Sequence, residues 1–248
     1  MARRPALLVT RPQPDADRLA DHLDALGIEP VLAPMLEARA IPHATMPLDR
    51  TLGAIAITSA NAVRFLVASG QHQDFVDLPV FTVGDASAHE CRQAGFSKVT
   101  SARGTLADLA ELMGRAAPPG TILYPAAHHR SGDLAGLMAP HDRVVETRVL
   151  YEMVATTQMP QDVAERLHEG TIAGALFYSR RTAEVFSGLC ADPEFAATRA
   201  DLEALCISET CAEPLVARHF TRISLADAPD AEAMLVLALA FAREQIEA

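Results

Sequence analysis

Tryptophan is absent from this chain, lysine occurs once (Lys98), and aromatic residues make up only 5%. Few aromatic faces means few stacking platforms for bases or sugars. A single lysine means that an anion site would have to be built from arginine forks or backbone amides. Positive charge is also short. Lys and Arg number 21 against 32 Asp and Glu, a net charge of −11, which argues against a nucleic-acid partner. No apolar run approaches the ~20 residues that span a bilayer. The apolar stretch in MARRPALLVTRP is too short for a secretory signal. A cytoplasmic protein with no membrane partner is therefore expected. Cys91, Cys190, Cys206 and Cys211 show no CxxC spacing; reduced, structural thiols and no metal site are expected. The GxGxxG, GxSxG, P-loop and HExxH signatures are missing as well.

What the chain does have is an internal repeat. Residues 7–37 match 122–152 at a shift of 115, 54–66 match 174–186 at 120, and 81–102 match 205–226 at 124. The pieces, a, b and c, run a-b-c-a-b-c with uneven spacing. The first a stands apart from b, whereas the second a directly follows c. Residues 39–150 therefore hold a complete inserted domain. Residues 1–36 and 154–248 make the other from both ends of the chain. The segments near 33–40 and 149–156 would cross between the two and could pair as strands. A cleft between the domains is expected to bind a ligand.

Each piece reads as a buried strand, a small polar turn and an amphipathic helix. In piece a, Ala16, Leu19, Leu23 and Leu26 recur at helical spacing and Gly27 closes the helix. Strands joined by helices mean an α/β fold: two small parallel sheets flanked by helices and joined by a two-stranded linker. Residues 38–52, with Pro42 and Pro47, show no period and read as a linker or crossover. Amphipathic helices are also expected over 105–116 and 230–243.

The turns after the strands carry the candidate site residues: Arg11; Ser59 and Asn61; Gly84 and Ser87; His128, His129 and Arg130; Ser179 and Arg180; and Thr210. In α/β sheets such turns gather at the carboxyl ends of the strands. Helix N-termini there offer free N–H groups and partial positive charge, suited to a polyanion. Ser59, Asn61 and Ser179 are equally good helix caps, and the arginines are carboxylate clamps or plain surface charges. His128 and His129 lack a third ligand at suitable spacing, so they do not point to a metal. Tyr151, one of only three tyrosines, closes the second piece a in VLYE. It is a candidate hydrogen-bond donor or general acid.

VTRP, ITSANAVRF, VGDASAHECRQAGF, VLYE, FYSRRTAEVF and ISETCAEPL, in this order, resemble the uroporphyrinogen-III synthase family. The similarity covers nearly the whole chain. It implies two α/β domains with the active site between them, and a polycarboxylate substrate, hydroxymethylbilane. That substrate would be cyclised with inversion of ring D through a spiro intermediate. No cofactor and no metal are implied, and a monomer is the default. Transient contact with the enzyme that supplies the substrate is a further expectation. Tyr151 falls on the family's cleft tyrosine, and Ser59, Asn61, Gly84, Ser87, Ser179 and Thr210 fall on its turn positions. Arg180 stands where the family usually has proline, and Cys211 where it has a threonine. Those departures leave open a non-catalytic module that binds an anionic tetrapyrrole or another small polyanion.

Overall fold

The computed structural model describes residues 4–42, 51–130 and 132–247. The expected linker over 38–52 falls largely on 43–50, outside the described residues. In chain order come β1 (Ala6–Val9), α1 (Asp15–Ala25), β2 (Glu29–Leu32), β3 (Leu36–Ala40), β4 (Leu52–Ile57), α2 (Ala60–Ala68), β5 (Val80–Thr82) and α3 (Asp85–Gln93). Then follow β6 (Val99–Ser101), α4 (Leu106–Ala116), β7 (Thr121–Ala127), α5 (Leu134–Met138), β8 (Val145–Ala155), α6 (Gln161–His168) and β9 (Gly174–Phe177). The chain continues through α7 (Arg180–Leu189), α8 (Ala196–Asp201), β10 (Glu203–Cys206), α9 (Glu209–Ala217), β11 (Ile223–Leu225) and α10 (Ala231–Glu247). Two compact units result: Met1–Glu37 with Val154–Ala248, and Ala38–Met153.

The first unit holds a sheet in the order β11-β10-β9-β1-β2, and the second sheet runs β3-β8-β7-β4-β5-β6. All pairings among β1, β2, β9, β10 and β11, and among β4 to β8, are parallel. The two orders correspond strand for strand. β11, β10, β9, β1 and β2 take the places of β6, β5, β4, β7 and β8, the pairing that the repeated pieces define. β3 lies beside β8, where Ile41 N donates to Leu150 O and Thr156 N to Met35 O.

Alternation along the buried strands builds a core on each sheet face. In the first unit, Leu7, Val9, Leu176 and Leu205 pack with Leu19 and Leu23 of α1 and Met234 and Phe241 of α10. Leu8, Phe177 and Cys206 face the other way, onto Val163, Phe186 and Leu215 of α6, α7 and α9. In the second unit, Ala54, Phe81 and Tyr124 pack with Leu109 and Met113 of α4 and Met138 of α5. Ile55, Ile57 and Val80 face Val63 and Leu66 of α2 and Cys91 of α3. Each fully buried Leu or Ile contributes roughly 2 kcal/mol of transfer free energy.

One copy departs from the other. The second piece a was expected to repeat the helix of the first, yet α5 has only five residues against eleven for α1. Gly132 and Asp133, in the stretch that would be its first turn, lie before α5 begins at Leu134. Glycine disfavours helix and aspartate favours a cap position. The four cysteines are free and buried. No helix among the described residues is long and apolar enough to cross a membrane.

Candidate active site

Parallel strands deliver their carboxyl ends to one edge of a sheet, and in the second unit that edge carries a cavity of about 350 Å³. Thr58, Ser59 and Asn61 line it from the end of β4 and the start of α2, and Val83 from the end of β5. Ala127, His129, Arg130 and Gly132 come from the turn after β7, Tyr151 and Met153 from β8, with Tyr124 and Leu106 beside them. At this size it has room for a small ligand or for one part of a larger one.

Tyr151 reaches the cavity through an irregularity in the sheet. Along β7 and β8, Ala126 pairs with Val149 but Ala127 pairs with Tyr151, so Leu150 is an extra residue on β8. Such a bulge breaks the strict alternation and re-aims a side chain. As a result the consecutive residues Leu150 and Tyr151 both lie in the core cluster on one face. Tyr151 is 3% exposed, and its ring stacks on Phe65 with centroids 4.9 Å apart and planes 12° from parallel. Burial pushes its phenol above the ordinary tyrosine value. A hydrogen bond with the Ser59 side chain opposes this, Tyr124 adds to the rise, and the charge of Arg64 opposes it. The phenol therefore keeps its proton at neutral pH, as a donor must.

That shift has a consequence for stability. An unfolded tyrosine loses its proton near pH ~10, before the folded one does. Stability from this group is thus full below that pH and is lost as pH rises through the folded value. The melting temperature of the native chain should fall more steeply above pH ~10 than that of a Tyr151→Phe variant, which has no phenolic proton there. Equal slopes in calorimetric scans would contradict the burial argument. Tyr178, also pushed up by burial and held down in part by Arg11, is the same background in both chains.

Ser59 caps α2, its side chain accepting from Asn61 N at 3.2 Å. The cap and the site are thus one residue. Asn61 Oδ1 accepts from Arg64 Nη1 at 2.8 Å, and Asn61 Nδ2 lies 3.9 Å from Met153 Sδ. Arg130 is exposed and donates to the Ala127 carbonyl at 3.3 Å. His128 and His129 sit edge to face, centroids 4.8 Å apart. Among the described residues no group of His, Cys, Asp and Glu is placed to hold a metal ion. No acidic side chain is among the described residues lining the cavity. The site is therefore locally positive or neutral although the chain carries −11, since site potential follows nearby charges rather than the total.

Of the twelve residues singled out from the sequence, the cavity brings together Ser59, Asn61, His129, Arg130 and Tyr151, with His128 edge to face against His129. Gly84 is the N-cap residue of α3, one position beyond the lining residue Val83, and Ser87 on α3 is turned toward the core at 7% exposed. The others belong to the first unit. Ser179 caps α7, accepting from Thr182 N at 3.2 Å. Thr210 is exposed in the first turn of α9. Arg11 is engaged within the chain: it bonds Asp15 at 3.1 Å and lies 4.4 Å over the Tyr178 ring. Arg180 forms an ion pair with Glu213 of α9. Cys211 is 2% exposed, and its thiol donates to Phe177 O at 3.4 Å, so this departure from the family pattern is a packing feature.

Sequence reasoning passed over several of the lining residues, among them Tyr124, Leu106 and Met153. Tyr124 is the instructive one. It is 4% exposed, and its hydroxyl lies 3.0 Å from Thr58 Oγ1 across the β4–β7 pair. Thr58 and Tyr124 are 66 residues apart in sequence, so only the scarcity of tyrosine could have drawn attention to it.

Known proteins resemble this chain over most of its length. Residues 17–236 match the family model described as uroporphyrinogen-III synthase HemD. A uroporphyrinogen-III synthase of Chlorobaculum parvum is 26% identical over 194 residues, 73% of this chain and 77% of that protein. The crystal structure of uroporphyrinogen-III synthetase from Helicobacter pylori superposes with a TM-score of 0.64 at 18% identity, covering 96% of this chain and all of that one. A mutant uroporphyrinogen III synthase from Thermus thermophilus gives 0.58 at 15% identity, covering 97% and 99%. At these identities the structures establish likeness of fold.

Proposed function

The chain belongs to the uroporphyrinogen-III synthase family, whose model matches most of its length, and from that premise we propose how its own residues perform the reaction. Membership makes it a lyase of haem biosynthesis acting on a small tetrapyrrole. The substrate in this reading is hydroxymethylbilane, and the protein works as a cytoplasmic monomer.

The observation that carries the site reading is a buried, protonated phenol on a cavity lined by donors. Tyr151 gives its proton to the departing hydroxyl of the substrate, and water leaves. The carbon left behind is an azafulvenium cation. Ring D attacks it through its substituted carbon, forming the spiro intermediate, which fragments and recloses with ring D inverted. The closing ring loses a proton as it regains aromaticity, and that proton restores Tyr151. Ser59 and Asn61 hold the reacting end, and Arg130 takes a carboxylate at the mouth. Much of the catalysis is positioning, because the wrong carbon of ring D must be presented to the cation.

Turnover separates this from a module that only binds. Protein at a tenth of the substrate concentration or less should consume all of the hydroxymethylbilane faster than it closes spontaneously. A binding module would protect about one equivalent and slow its closure; that result would overturn the reading.

A further inference from the structure

The residue that decides what Asn61 offers the substrate does not line the cavity. Asn61 and Arg64 lie three residues apart on α2, so their side chains share one face of the helix. Arg64 Nη1 donates to Asn61 Oδ1 at 2.8 Å, and Arg64 Nη2 donates to Glu90 Oε2 of α3 at 3.1 Å. Both side chains of that ion pair are only 18% exposed, so salt and water screen it less than a surface pair. The two ends of an asparagine amide are nearly equal in shape and opposite in hydrogen-bonding character. A guanidinium can only donate. It therefore selects the oxygen and turns the NH₂ away, toward Met153 Sδ at 3.9 Å. A thioether is a weak acceptor, easily displaced by a carboxylate.

We propose that Arg64, braced by Glu90, is a positioning residue that locks the Asn61 amide with its NH₂ group facing the cavity, so that this position donates to a substrate carboxylate. The proposal rests on the functional reading above. Without the lock the amide can rotate and present its oxygen, which repels a carboxylate. Arg64 itself is not the clamp, since Glu90 neutralises its charge. The role is to set the polarity of a neighbour, and it deepens the specificity of the site for an anionic substrate.

The test is a double-mutant cycle with kinetics and an amide signature. Arg64→Met keeps the length and loses every donor; Arg64→Lys keeps a cationic donor group. Arg64→Met should raise KM for hydroxymethylbilane about tenfold, in line with the loss of a charge-assisted contact, with little change in kcat. Arg64→Lys should restore most of it. In an Asn61→Ala background Arg64→Met should raise KM no further. An equal penalty in both backgrounds would mean that Arg64 acts on its own, through packing or direct contact, and would overturn the proposal. The Asn61 side-chain NH₂ pair in ¹⁵N-edited NMR, identified by its loss in Asn61→Ser, gives an arm independent of turnover. Its proton shifts should move in Arg64→Met and hold in Arg64→Lys; no movement in Arg64→Met also overturns the proposal. A native chain with no turnover would refute the functional reading, while the NMR arm would still decide the amide lock.

Discussion

A Tyr151→Phe variant should fold as the native chain does and lose roughly 10²-fold in kcat, the low end for removal of a general acid. The ring has its own reasons to stay in place. It is 3% exposed, stacked on Phe65 and part of the core that includes Val63 and Leu66. Only the hydroxyl and its hydrogen bond with Ser59 are lost, which costs about 1 kcal/mol of stability. The loss of rate stops well short of abolition because positioning supplies a large share of the catalysis. The residual product should still be the inverted isomer. Steady-state kinetics beside a urea titration check this; unchanged kcat would remove the phenol from the mechanism.

Gly53→Val is expected to cost about 3 kcal/mol of folding stability and to take activity with it. The registers of β4 and β7 shift between Leu52 and Ala54, leaving Gly53 as the extra residue. A Cβ there would sit 2.7 Å from Pro119 O and 2.8 Å from Pro118 O, and both are backbone atoms that cannot rotate aside. Across the contact Gly120 has φ +128 and its own Cβ would meet Gly53 N at 2.7 Å. β4 leads directly into Thr58 and Ser59, so displacing it moves the floor of the cavity. Gly188→Ala is the contrasting change. It lies in α7 with nothing within 4 Å of an added Cβ and should gain about 0.5 kcal/mol through helix propensity. Urea midpoints at constant m-value measure both. A Gly53→Val chain as stable as the native one would refute the close approach.

The repeat made the architecture legible before any coordinates. Matching pieces at separate shifts demand matching strand–turn–helix units, and the two sheets do share one strand order. The capping turns were legible for the same reason: Ser59 and Ser179 each cap a helix at the end of a buried strand. Tyr151 could be found because it ends a repeated piece. How it reaches the cavity could not, since the bulge at Leu150 leaves no mark on a run of apolar residues. β7 is buried along nearly its whole length, so its sequence does not say that Tyr124 turns its hydroxyl to Thr58. The arginines divide by distance. The partner of Arg11, Asp15, is four residues away and close enough in sequence to suspect, whereas Glu213, the partner of Arg180, is 33 residues away and was not. The lock on Asn61 by Arg64 was half legible, three residues along one helix; its brace, Glu90, comes from a different helix.

The most direct measurement of the central claim is the isomer that the native chain makes. Hydroxymethylbilane is supplied, the products are oxidised to porphyrins, and the type I and type III isomers are resolved by chromatography. The account predicts type III as the main product, formed faster than spontaneous closure. Type I alone, the outcome of closure without inversion of ring D, would contradict it.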